Sequence, residues 1–113
     1  MANNIAFQVM GKTTRIDANS VANTVSILSD SPCNQVRIHN GSAVEVFVRL
    51  GTSSGDSAVI PVAGTPGYAA ILHNNSTVVF TAPKQATSAA SLYVSVITAS
   101  ANAVVYVTPG EGM

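Results

Sequence analysis

Apolar and polar side chains alternate along most of this chain with a period of two, the spacing that puts successive side chains on opposite faces of a β-strand. Ile5, Phe7 and Val9 alternate with Ala6, Gln8 and Met10 up to Gly11-Lys12. Thr13 to Ala18 is a weaker run in which Ile16 is the single large apolar residue. Val25 and Ile27 flank Ser26 ahead of the turn-rich Ser29-Asp30-Ser31-Pro32, where proline has no N–H to give a ladder.

The longest regular alternation predicts a hairpin. Gln35 to His39 is followed by Asn40-Gly41-Ser42 and then by Ala43 to Leu50. A one-residue slip moves every side chain to the other face, so the pattern itself selects a register. A three-residue loop sets Ile38 opposite Val44, Val36 opposite Val46 and Arg37 opposite Glu45, giving one aliphatic face and an ion pair on the other.

Further strand candidates follow. Ser57 to Val62 is interrupted by Pro61, which suggests an edge or a bulge. Tyr68 to His73 and Ser76 to Ala82 flank the turn pair Asn74-Asn75, and Leu92 to Thr98 and Ala103 to Thr108 flank Ala99 to Asn102. Gly51 to Asp56 and the low-complexity Pro83 to Ser91 read as loops, the second able to form a helical turn. Eight or nine short strands at spacings of roughly ten residues describe an all-β sandwich or small barrel. With 113 residues, the chain makes one domain, 1–113.

Composition narrows the function. Charged residues are 9% of the chain, hydrophobic ones 47%, and five basic residues cancel five acidic ones. That balance is the reverse of intrinsic disorder. Lys12, Arg15, Arg37, Arg49 and Lys84 are scattered, which argues against nucleic acid as a direct partner. No apolar run exceeds five residues, as in Tyr68 to Leu72, so no membrane span is expected. The start Met1-Ala2-Asn3-Asn4 does not resemble a signal peptide, and synthesis in the cytoplasm is expected. One cysteine, Cys33, excludes an internal disulfide and reads as a small buried residue.

The groups able to do acid–base chemistry are His39, His73, Asp17, Asp30, Asp56, Glu45 and Glu111, and they fall in different loops or strands with no recognisable motif, while a Cys33–His39 or Cys33–His73 dyad is outweighed by the chance occurrence of a Cys and a His. Zinc needs about four clustered ligands, and Asp17-Ala18-Asn19 and Gly55-Asp56 do not match a calcium loop. Gly51 to Gly55 lacks the Lys-Ser/Thr ending of a phosphate loop. No catalytic, cofactor-binding or metal-ligating residue is assigned, and the chain is read as not an enzyme. Three Asn-x-Ser/Thr triplets, at Asn40, Asn74 and Asn75, are expected by chance in a chain rich in these residues. Of the tyrosines that could stack a sugar, Tyr68, Tyr93 and Tyr106, the last two lie inside strand patterns and read as packing residues with a polar tip.

Sheet edges in soluble proteins are guarded by charges, prolines or bulges. Pro32, Pro61, Pro83 and Pro109 can guard some edges, but Ser76 to Ala82 and Ala103 to Thr108 carry no charge, and the tail Pro109 to Met113 is too flexible to order itself. Such edges are expected to be covered by other subunits.

The runs Gln35-Val36-Arg37-Ile38-His39-Asn40-Gly41, Val46-Phe47-Val48-Arg49-Leu50-Gly51 and Val105-Tyr106-Val107-Thr108-Pro109-Gly110-Glu111-Gly112 resemble small virion-associated β-proteins of tailed bacteriophages, over about Ala18 to Met113. The resemblance implies a single antiparallel β-sandwich, jelly-roll-like, that decorates or cements the capsid by bridging coat subunits. It implies the phage major capsid protein, or tail and connector proteins, as partners, a homo-oligomer such as a trimer at a capsid symmetry axis, and a place in the virion. A tail or head–tail junction component is the alternative within that class. A carbohydrate-binding adhesion module is the alternative outside it.

Overall fold

Val, Ile and Thr dominate the alternating runs, and their branched side chains suit the pleated surface of a sheet better than a helix. The computed structural model describes residues 8–67, 69–89 and 91–111, and these hold nine strands and no helix. They are β1 (Gln8–Val9), β2 (Thr14–Ala18), β3 (Asn23–Ile27), β4 (Cys33–Asn40), β5 (Val46–Gly51), β6 (Ala70–Leu72), β7 (Thr77–Ala86), β8 (Leu92–Ile97) and β9 (Ala103–Glu111). Ile5, Phe7, Tyr68 and Gly112-Met113 lie outside the described residues.

Two antiparallel sheets result. One runs β1-β9-β4-β7, with β2 also on β9, and the other runs β3-β8-β5-β6. The pairs are nested: β5 with β6, β4 with β7, β3 with β8 and β2 with β9. A ribbon of nested antiparallel pairs, rolled so that successive pairs fall in alternate sheets, is a jelly roll. Its core is aliphatic. Ile16, Ile27, Val36, Ile38, Val46, Val48, Leu72, Leu92, Val94, Val96, Val105 and Val107 are each at most 1% exposed.

The expected hairpin between β4 and β5 does not form. Its two aliphatic faces are buried as the alternation predicts, Val36 and Ile38 on β4 and Val46 and Val48 on β5. They meet across the core rather than side by side, because the chain changes sheet at residues 41–45. Arg37 therefore stands opposite Val79 and Thr108, and Glu45 lies 3.4 Å from His73 rather than near Arg37. Asn40 makes this corner. Its fully buried side-chain amide donates to the carbonyls of Val44 (2.7 Å), His73 (3.1 Å) and Leu72 (3.3 Å), and its Oδ1 accepts from the Ser42 N–H. The β6–β7 and β8–β9 connections change sheet in the same way.

Three loop and strand assignments are also corrected. Ser57 to Val62 is not a strand: it crosses the outer face of the second sheet, where the Ala58 N–H donates to Ser95 Oγ at 2.8 Å and Arg49 holds the Ser57 carbonyl. Pro83 to Ala86 belongs to β7, and a register shift between Cys33 and Gln35 absorbs the proline as a bulge. Pro109 to Glu111 is strand, paired with both β1 and β4.

Pro109 explains the break between β1 and β2. The Gly41 N–H donates to Val104 O, so the alternation of an antiparallel ladder turns residues 104, 106, 108 and 110 of β9 toward β4 and residue 109 away from it. The side without an N–H thus faces the gap at Gly11. There Met10 still donates to the Pro109 carbonyl at 2.9 Å, and a side chain at Gly11 would meet Pro109 Cγ at 2.9 Å and Ser29 Cα at 3.0 Å.

Candidate functional site

Most of the groups able to do chemistry are placed by the fold against a local partner. Cys33, at the start of β4, is 1% exposed, and burial pushes its thiol up from its ordinary value, against a nucleophilic role. His39 lies on the outer face of β4 with Nδ1 2.7 Å from Thr77 Oγ1. His73 is exposed at the neighbouring corner beside Glu45. Asp17 holds Arg15 at 2.9 Å, and the Glu111 carboxylate accepts the Asn34 N–H at 3.0 Å. The Asp30 side chain is exposed, while its N–H donates to Met10 O at 2.7 Å.

The two loops weighed for calcium are closed by their own groups. Asp56 turns its carboxylate inward to accept the N–H groups of Thr52 (2.9 Å) and Ser53 (3.2 Å), with Arg49 3.6 Å away, and these bonds hold it below the ordinary carboxylate range. Asn19 Oδ1 accepts the Val21 N–H. Among the described residues no three His, Cys, Asp or Glu side chains gather in metal-binding geometry. Among the described residues, four surface hollows of about 220–390 Å³ are lined by neither Cys33 nor a histidine. Asn40 is buried, so its glycosylation triplet is inaccessible in the fold.

Neither a protein-family model nor a curated protein matches the sequence.

What the fold does build is a surface. On the outer face of the first sheet, cross-strand register aligns Arg15, Tyr106, His39 and Thr77 in one row and Thr108, Arg37 and Val79 in the next. Tyr106 and His39 stack with ring centres 6.3 Å apart and planes 22° apart, leaving Tyr106 39% exposed. Tyr106 thus packs one side of its ring on a neighbour and turns the other outward. Tyr93 is half-buried on the second sheet opposite Gly51 and Ser26.

The two strands expected to lack guards have different fates. β9 lies inside its sheet, between β4 on one side and β1 and β2 on the other. β7 is the edge, and it is ten residues long. Beside it an open groove of about 380 Å³ separates the sheets, lined by Val48, Leu50, Ala70 and Phe80. Sequence reasoning found the uncharged edge but not the Arg15–Tyr106–His39–Thr77 row, which depends on pairings between strands far apart in the chain.

Proposed function

We propose that this chain is a structural virion protein of a tailed bacteriophage, one that decorates or cements the capsid by bridging coat subunits, acting without catalysis. The observation that carries this reading is the combination of a ten-residue edge whose one charge is Lys84 and whose Val78 and Val79 are exposed, on a domain in which no three His, Cys, Asp or Glu side chains gather among the described residues. Such an edge favours a covered state, because unpaired backbone groups recruit strands and exposed apolar side chains gain by leaving water. The jelly roll supplies flat faces and rigid corners for fitting against a lattice, and it agrees with the sequence resemblance. The partner is the major capsid protein, or tail and connector proteins in the alternative placement.

Cryo-microscopy of purified parent particles tests this. Density for the jelly roll on the coat lattice is expected; density on the tail axis selects the junction component, and absence from the particle overturns both. A glycan-binding adhesion role draws on the outward face of Tyr106, flanked by Arg15 and His39. Glycan-array binding lost in Tyr106→Ala would promote that reading.

A further inference from the structure

The four sheet edges are guarded unequally. β1 and β6 are only two and three residues long, which itself limits pairing. β2 carries the Arg15–Asp17 ion pair, and β3 is five residues long with Asn23 Nδ2 donating to the Asp17 carbonyl. β7 has ten residues, and its charge is confined to Lys84, beyond Pro83.

Which β7 groups turn away from β4 follows from one bond. Asn40 N–H donates to Ser76 O at 2.9 Å, in line with the Ile38–Val78 and Val36–Phe80 register. In an antiparallel ladder bonded and non-bonded pairs alternate, so Val78 and Phe80 bond back to β4. Thr77, Val79 and Thr81 direct their N–H and C=O groups away from the sheet.

We infer that β7 pairs antiparallel with β7 of a second copy about a two-fold axis at Val79, joining the two five-stranded sheets into one. The occupant is a second copy because the strand is complementary to itself in this register. Val79 meets Val79, and Thr77 meets Thr81 on the outer face, while Val78 meets Phe80 on the inner face. Val–Val, Thr–Thr and aromatic–β-branched pairs are each favourable across strands, and no like charges are opposed, since the segment from Ser76 to Ala82 is neutral. Pairing also covers Val78 and Val79, 39% and 45% exposed in the single chain. The Pro83 bulge and the Asn74-Asn75 turn end the paired segment on either side.

One strand pair buries less than the roughly 1,200 Å² of a standard stable interface, so the dimer is a weak one that a lattice can reinforce. An isologous contact of this kind closes at two copies; a trimer requires a heterologous one. The contact does not depend on where in a particle the protein sits.

Sedimentation of the full chain over a concentration series is expected to show a monomer–dimer equilibrium. Val79→Lys opposes two like charges at the axis and raises the dissociation constant at least about tenfold. Val79→Pro removes an N–H that only the partner uses, so it also gives a monomer, with circular dichroism and thermal midpoint near those of the parent. Val79→Cys forms an intermolecular disulfide under mild oxidation, which wild-type Cys33, being buried, does not. A wild-type chain that stays monomeric throughout overturns the inference, even if it binds particles and the virion role holds. An oligomer unaffected by Val79→Lys overturns it too, by assigning assembly to another surface.

Discussion

Asn40, at the end of β4 in one sheet, donates its side-chain amide to the main-chain carbonyl of Leu72, at the end of β6 in the other, while being fully buried itself. The same nitrogen reaches Val44 O and His73 O, so one side chain ties three chain segments where the sandwich turns.

Replacing Asn40 by Ala leaves those buried carbonyls without a donor, and a loss of about 2–3 kcal/mol in unfolding free energy is expected from urea denaturation. Asn40→Asp is expected to be worse, because it sets acceptor against acceptor.

Gly11→Ala is expected to cost about 1–3 kcal/mol, since its Cβ enters a space already bounded by Pro109, Ser29 and Leu28. Hydrogen exchange should show the loss concentrated at Met10 and Asp30, whose N–H groups bond across this junction. Uniform loss across the strands would contradict that account.

Cys33 is buried with its thiol pushed up by that burial, so modification by a thiol reagent at neutral pH is expected to follow global unfolding and to stay slow in the native protein. Rapid labelling of the folded chain would disprove the placement.

Asp56 has a folded-state pKa below its unfolded value because of the Thr52 and Ser53 N–H groups and Arg49. Its stabilising contribution is therefore complete above the unfolded carboxylate value of about 3.9 and is lost as pH falls through the lower folded value. Amide exchange at Thr52 and Ser53 should accelerate over that acid range, and Asp56→Asn should remove the pH dependence there.

The inward and outward positions were legible in the sequence; the pairing was not. Alternation identifies the side of a strand that is buried, and Val36, Ile38, Val46 and Val48 are all where it puts them. A hairpin and a corner between sheets bury the same residues, and the difference lies in whether the joining segment bonds to the adjacent strand. Asn40 decides that point by spending its amide on Leu72 and His73, residues more than thirty positions away. Pro83 misled for a related reason, because a bulge lets a strand continue past a proline that would otherwise end it. Cys33 and His39 share β4, one buried at its start and the other on the outer face, and strict alternation does not predict that separation because the register shifts between Cys33 and Gln35. The stacked Tyr106 and His39 were not legible either, since they become neighbours only when β9 is laid beside β4.

The nesting of strand pairs also governs how the chain reaches this structure. β5 and β6 can meet by closing the shortest loop, β4 and β7 then enclose them, and β2 and β9 close last over nearly the whole chain. Each closure costs entropy before its contacts form, so folding is expected in the millisecond-to-second range typical of non-local β topologies. In that order β7 pairs before the outer strands close, so folding is the stage at which its outward edge is most exposed to a wrong neighbour.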